Sequence, residues 1–503
     1  MSFKRGSGIL MHFSSLPGPY GIGDLGKSAL DFIDFLRDCK QQYWQFLPIG
    51  PSSQVFDSSP YMSLSAFAGN SNLISPELLV EEGYLAESDL ANLANFSEYY
   101  VEFEQVISFK ESLLRKAFNA FIISGKNSKF ETFCTRTLWL EDYALFMSLR
   151  EKYENKAWYE WPETLVNREK VALELHKYQL EKQILFHKFV QFCFFDQWAK
   201  IREYATASGI TLIGDLPIYV GLDSADVWAH QDCFRLDSLS HKPTHVSGVP
   251  PDYFSETGQR WGNPIYKWKL AKGKNNASLY AWWVERLRSL FEMVDIARID
   301  HFRGFESYWE IPEAEETAIN GRWVKGPGTE FFDEMLKQLG KVPIIAEDLG
   351  IITPEVEELR DHYGFPGMKI LQFAFDSDEK NPYLPHNFQS SNCLVYTGTH
   401  DNDTCVGWYF SNTVARQNKE KVLRYANCHG TGEIHWDFIR LALSSTACIS
   451  IIPLQDVLGF GGDCRMNKPS TEHGNWRWRC GSRFITDSVK MRLENETVFY
   501  GRG

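Results

Sequence analysis

Paired cysteines are missing from this 503-residue chain. Its ten Cys, from Cys39 and Cys134 through Cys193, Cys233, Cys393, Cys405, Cys428, Cys448 and Cys464 to Cys480, include no C-x-x-C pair. Neither a zinc site nor a disulfide framework is suggested, and the residues read as reduced core thiols of a cytosolic protein. A long apolar run is missing too: nothing approaches the ~18 residues that span a bilayer. Met1-Ser2-Phe3-Lys4-Arg5-Gly6 has no hydrophobic signal core, so a soluble, cytoplasmic protein without a membrane partner is expected. There is no Lys/Arg cluster and the formal charge is −13, which argues against nucleic acid and favours an uncharged ligand. A dinucleotide turn directly after the first strand is also lacking. Gly21-x-Gly23-x-x-Gly26 has the spelling, but it begins well past the strand, behind Pro17 and Pro19, and reads as a loop.

What the chain has in quantity is aromatic surface, with 16 Trp, 22 Tyr and 36 Phe. Flat rings stack on the apolar faces of sugars and bases, although most of these must be ordinary core. It also has alternation of strand and helix. Strand patterns run at Gly8–Phe13, Tyr43–Ile49, Ile210–Val220, Val294–Asp300, Pro343–Gly350, Met368–Phe375, Cys393–Thr404 and Ala447–Asp456. Helical spacing such as Ala29, Leu30, Phe32, Ile33 and Leu36 lies between them. Two stretches interrupt the alternation. Residues 75–167 carry helical periodicity alone, closed by one long helix from about Glu169 to Ser208 with Gly209 as its cap. Residues 221–275 hold a long Gly/Pro-rich loop including Pro250–Pro264, and a loop of that length is usually functional. The expectation is an α/β fold: a single (β/α)8 TIM-type barrel over 1–503 with a helical insertion at 75–167 after strand 2 and an insertion with an active-site loop at 221–275 after strand 3. A doubly wound open sheet is the alternative.

The stretch Val294-Asp295-Ile296-Ala297-Arg298-Ile299-Asp300-His301 is a buried strand ending in charge. Residues two apart share a face, so Arg298 and Asp300 point into one pocket while Ile299 packs outward. A guanidinium beside Asp300 is expected to lower its pKa and keep it ionised, as a carboxylate nucleophile requires; a structural ion pair is the bland alternative. Acids also end other strands, at Asp215, Glu347 and Asp401, and a barrel gathers strand C-termini at one mouth. Several carboxylates without a Cys/His cluster suit acid/base and nucleophilic cleavage of a glycosidic bond. A Mg²⁺ or Mn²⁺ site is the rival, with the fixed cation Arg298 counting against it.

The motifs Arg298-Ile299-Asp300-His301-Phe302-Arg303-Gly304, Ala346-Glu347-Asp348-Leu349-Gly350 and Thr397-Gly398-Thr399-His400-Asp401-Asn402-Asp403-Thr404 resemble those of the 4-α-glucanotransferases of glycoside hydrolase family 77. The similarity runs from Ser7-Gly8-Ile9-Leu10 through Ser14–Asp24 to Asn475-Trp476-Arg477-Trp478-Arg479, and Pro250–Pro264 matches a loop overhanging the cleft. One position departs: Ser470 stands where the family usually has Gly. The resemblance implies Asp300 as nucleophile, Glu347 as general acid/base and Asp401 as stabiliser of the transition state. Tyr61, Asp215, Trp261, Arg298, His301 and His400 are implied as substrate-binding, with Arg298 orienting Asp300. It implies transfer of α-1,4-glucan segments by a retaining double displacement, on maltodextrin, amylose or glycogen-derived glucan, in glycogen, starch or maltodextrin metabolism, with no metal or organic cofactor. The chain stops too soon after the eighth strand for a C-terminal β-sandwich, which favours a transferase over an amylase. A plain α-glucan hydrolase and a non-catalytic glucan-binding barrel remain rivals. The sequence leaves the oligomeric state open.

Overall fold

The structure is a computed structural model that describes residues 3–53, 57–91, 95–125, 127–251, 255–428, 432–471 and 473–503. Eight parallel strands form the central sheet: β1 (Gly6–Leu10), β2 (Tyr43–Gln45), β3 (Thr211–Pro217), β4 (Ile296–Asp300), β5 (Ile344–Ala346), β6 (Gly367–Ile370), β7 (Cys393–Tyr396) and β8 (Ile449–Pro453). The ladder runs β6-β7-β8-β1-β2-β3-β4-β5. Its two ends meet where the Ala346 N–H donates to Pro366 O at 2.9 Å, closing the (β/α)8 barrel.

Strand parity explains the filling of the barrel. Leu10, Tyr43, Ile213, Ile296, Ile345, Met368, Ile370, Leu394, Tyr396, Ile449 and Ile451 form one buried cluster with contributions from all eight strands. Their alternates Ile9, Trp44, Leu212 and Ile452 pack outward with the surrounding helices. Gly8 is required inside: a Cβ there would sit 2.3 Å from Tyr43 O, so its absence lets the Tyr43 side chain fill the barrel floor.

The strands are shorter than their apolar runs, because several runs turn into 3-10 helix at the mouth, at Phe13–Ser15 and Leu371–Phe373. Helices separate most strands, but β6 is followed only by 3-10 turns at Leu371–Phe373 and Pro385–Asn387 before β7. Between β2 and β3 lie helices including Phe103–Ser124, Ser128–Arg136 and Leu140–Lys152. The single long helix expected from Glu169 is two, Lys170–Gln179 and Glu181–Ala207, broken at Leu180 with φ −110° and ψ 18°. Gly209 follows the second with φ +74°. Buried Gln191 and Gln197 on that second helix each bridge both backbone groups of one residue, Gly69 and Ser75, fastening the chain that leaves β2.

The stretch after β3 is not simply a loop. His245–Val249 and Gln259–Pro264 pair with Ser307–Pro312 and Arg322–Lys325 in an antiparallel four-stranded sheet. Glu310, fully buried in it, is held by Arg235 and by Arg322 at 2.7 Å. Residues 252–254 of the Pro250–Pro264 loop lie outside the described residues. The aromatic richness is largely core: Trp283, Phe305, Phe331 and Phe332 are all fully buried against one another, each such ring stabilising by roughly 1.5–3 kcal/mol. Among the described residues Cys39, Cys193, Cys233, Cys393, Cys405, Cys428, Cys448, Cys464 and Cys480 are free thiols. Among the described residues no helix is long and apolar enough to cross a membrane.

Candidate active site

Three adjacent strands, β3 to β5, carry acids to the mouth. In register, Asp215 of β3 sits beside Arg298 of β4, and Arg298 beside Ile345 of β5. Ile299 packs outward, leaving Arg298 and Asp300 on the inner face. Arg298 Nη1 donates to both oxygens of Asp215, at 2.7 and 2.6 Å, while its Nη2 reaches Asp300 Oδ1 at 3.1 Å. The guanidinium thus belongs first to Asp215 and only by one edge to Asp300. Asp215, expected among the substrate-binding residues, has no exposed side-chain area, and Arg298 and the Tyr61 hydroxyl, 2.7 Å from Oδ2, take up its oxygens.

Asp300 keeps about a third of its side chain exposed. Its pKa is raised to about 6, not lowered: burial among the barrel walls is the largest influence, Arg298 opposes it, and the Asp215 charge adds to it. The sequence shows the neighbouring cation, but not that Asp215 already neutralises it.

Glu347 follows β5 and is fixed at both oxygens. The His301 N–H donates to Oε2 at 2.7 Å and the Leu349 N–H to Oε1 at 2.9 Å. The main chains interlock as well, with Glu347 N–H on Ile299 O at 3.1 Å and Phe302 N–H on Glu347 O at 3.2 Å. Burial first and the Asp300 charge second raise Glu347 to about 7. To present its N–H, His301 takes a left-handed backbone with φ +56°, uncommon for a non-glycine residue. Burial lowers its imidazole to about 3, leaving it neutral, and Nε2 has no hydrogen-bond partner among the described residues. Trp261, on the edge strand of the antiparallel sheet, meets that ring edge-on at 4.8 Å.

Opposite them, after β7, Asp401 Oδ2 lies 3.4 Å from His400 Nε2 and Oδ1 accepts Asn467 Nδ2 at 2.6 Å. Burial works to raise Asp401, but His400 and the Asn467 amide outweigh it and hold the carboxyl well below the ordinary range. His400 is raised, burial opposing and Asp401 prevailing. Its ring stacks on Tyr61 at 5.1 Å, and its Nε2 is 3.0 Å from the Tyr61 hydroxyl. One connected network therefore runs Asp401, His400, Tyr61, Asp215, Arg298, Asp300. Sequence reasoning missed Asn467 and Trp476, which packs on Tyr61 and His400 at 5.6 and 5.9 Å; both come from an irregular segment after β8.

Residues 11–484 match the family model of glycoside hydrolase family 77, described as 4-alpha-glucanotransferase. The chain belongs to that family. It is 48% identical to the 4-alpha-glucanotransferase of Synechocystis sp., covering 99% of this chain and 98% of the relative, and 46% identical to that of Thermus thermophilus, covering 95% of each. The solved amylomaltase of Streptococcus agalactiae, in complex with acarbose, superposes with a TM-score of 0.94 at 38% identity, covering 99% of this chain and all of that one. A 4-alpha-glucanotransferase fold explains why three acids so distant in sequence meet at one mouth.

Proposed function

We propose that this member of the family transfers α-1,4-glucan segments between maltodextrins by a retaining double displacement. In the first step an Asp300 oxygen attacks the anomeric carbon while Glu347 gives its proton to the departing sugar oxygen. This forms a glycosyl ester on Asp300 and leaves Glu347 ionised. In the second step Glu347 takes the proton of an acceptor 4-hydroxyl, whose oxygen attacks the same carbon and frees Asp300. Two inversions retain the α configuration. The observation that carries this reading is the pairing of two differently held carboxyls at neighbouring strand ends: Arg298 Nη2 reaches Asp300 Oδ1 at 3.1 Å, while burial and the Asp300 charge raise Glu347. A cation beside one carboxyl and a negative charge beside the other favour an ionised nucleophile facing a protonated acid. Asp401, held ionised by His400 and Asn467, would bind sugar hydroxyls and stabilise the oxocarbenium-like transition state. His301 Nε2, Tyr61, His400 and Trp261 would contact sugar, and Arg298 would orient Asp300. Asp215 would act through Arg298 and Tyr61.

We read the chain as one catalytic barrel over 1–503, with 75–167 and 221–275 as its insertions. The segment 255–264 is the part of the second insertion best suited to limit water. The Ala318 N–H holds Thr257 O at 3.1 Å, and a Cβ on Gly258 would meet Ala318 Cβ at 2.8 Å, so the turn that leads into the Trp261 strand is seated firmly. A cytoplasmic setting is supported by nine free thiols, from Cys39 and Cys193 to Cys480. Incubation with maltotriose tests the reading: glucose plus longer maltodextrins is expected. One new reducing end for every bond broken would make the protein a hydrolase.

A further inference from the structure

The turn that leads to Tyr61 and the segment that carries Trp476 are joined through one carboxylate. Asp57 Oδ2 accepts the N–H of Gly474 at 2.9 Å and that of Asn475 at 3.3 Å, and Oδ1 accepts Arg477 Nη2 at 3.1 Å. The three donors bracket Trp476. Both sides of the joint are wound against preference: Asp57, Ser58 and Trp476 have φ of +48°, +57° and +62°. L residues hold such angles only where their surroundings impose them. The joint delivers two aromatic rings. Tyr61 and Trp476 pack together at 5.6 Å, and both lie against the ring of His400.

We propose that Asp57 is a positioning residue of the reaction: it clasps residues 474–477 to the turn before Tyr61 and so seats Tyr61 and Trp476 against His400, shaping that wall of the cleft. Asp57 touches none of the reacting groups, and its effect passes through the two rings. The inference rests on the transfer reading above for its consequence in turnover, but not for its consequence in backbone order or ligand binding.

The test uses the full chain with Asp57→Ala and Asp57→Asn, each in the wild-type and Tyr61→Ala backgrounds. Acarbose affinity is read by calorimetry, kcat/KM by glucose release from maltotriose, and backbone order by hydrogen exchange. Asp57→Ala is expected to lower acarbose affinity and kcat/KM about tenfold or more. It should speed exchange in peptides covering 57–61 and 473–477 while the melting temperature stays within a few degrees. Asp57→Asn, which keeps an acceptor oxygen and tolerates the left-handed turn, should recover most of the loss. With Tyr61 already Ala, removing Asp57 should cost less than about twofold more. Equal losses in both backgrounds, or unchanged exchange and affinity in Asp57→Ala, would overturn the proposal. A wild-type chain that binds acarbose yet makes no longer chains would overturn the transfer reading alone, and affinity and exchange would still judge the clasp.

Discussion

The backbone N–H of His301 donates to Glu347 Oε2 at 2.7 Å, so the residue next to Asp300 fixes the acid that faces it. A change in the backbone at His301 therefore moves both carboxyls at once.

Asp300→Asn should abolish transfer while the fold persists, with a rate loss of several orders of magnitude. Retention of more than about a hundredth of wild-type turnover, a loss of only ~2.7 kcal/mol, would show that Asp300 is not the nucleophile. The same variant should melt higher than wild type at pH 8. A carboxyl raised from 3.8 to about 6 binds its proton more tightly folded than unfolded, so its ionisation destabilises the fold as pH rises through that window. An amide removes that cost.

Glu347→Gln separates acid catalysis from a holding role. It should cripple transfer from maltodextrins yet still let a glycosyl fluoride, whose leaving group needs no proton, load Asp300. Without a base for the acceptor the ester accumulates, visible by mass spectrometry on the peptide containing Asp300, and azide should release it with the α configuration retained. Equal loss on both donors with no adduct would move the acid to another residue.

The pH profile of kcat/KM should be a bell. Burial raises both carboxyls, Asp300 to about 6 and Glu347 to about 7, so activity should rise as the pair loses its first proton and fall as it loses its second. A profile still flat at pH 8.5 would contradict the assignment of Glu347. Stability should follow a different curve. His12 and His301 are both lowered by burial to about 3, so the unfolded chain takes up their protons first. Their contribution is complete above the ordinary 6.5 and is lost as pH falls from there toward 3. Asp300 and Glu347, raised in the folded chain, shift stability the other way in the same window, so the loss is read as the change in urea midpoint between pH 7 and pH 5 in wild type minus that in His12→Gln.

Trp261→Ala and Ala318→Leu should both raise hydrolysis relative to transfer, the first by uncovering His301 and the second by lifting Thr257 and Gly258 off their seat. Product ratios from maltotriose read the effect. Ratios unchanged in both variants would remove segment 255–264 from the mechanism.

Much of the site was legible because barrel chemistry sits at strand tips. Alternation alone put Arg298 and Asp300 on one face and Ile299 on the other, and the Asp300, Glu347 and Asp401 motifs stood at the ends of apolar runs. What was not legible came from groups without a period. Asn467, Trp476 and Asp57 lie on irregular chain, where nothing in spacing reports a neighbour hundreds of residues away. The ionisation of Asp300 was misjudged because a sequence shows the adjacent Arg298 but neither the burial nor the prior claim of Asp215. The antiparallel sheet was hidden by Gly248, Pro250 and Pro251, which read as loop, and the break at Leu180 by the absence of any Gly or Pro to mark it.

The closure of the barrel has a consequence for how the molecule breathes. β5 and β6 end the ladder, and they are joined by Ala346 N–H to Pro366 O and by Asp348 Oδ1, which accepts the Met368 N–H at 2.7 Å. Elsewhere neighbouring strands are laced by continuous ladders, as β3 is to β4. Sub-global opening should begin at that seam, next to Glu347, so the same few amides that shut the cylinder also set how often the Glu347 carboxyl meets bulk water.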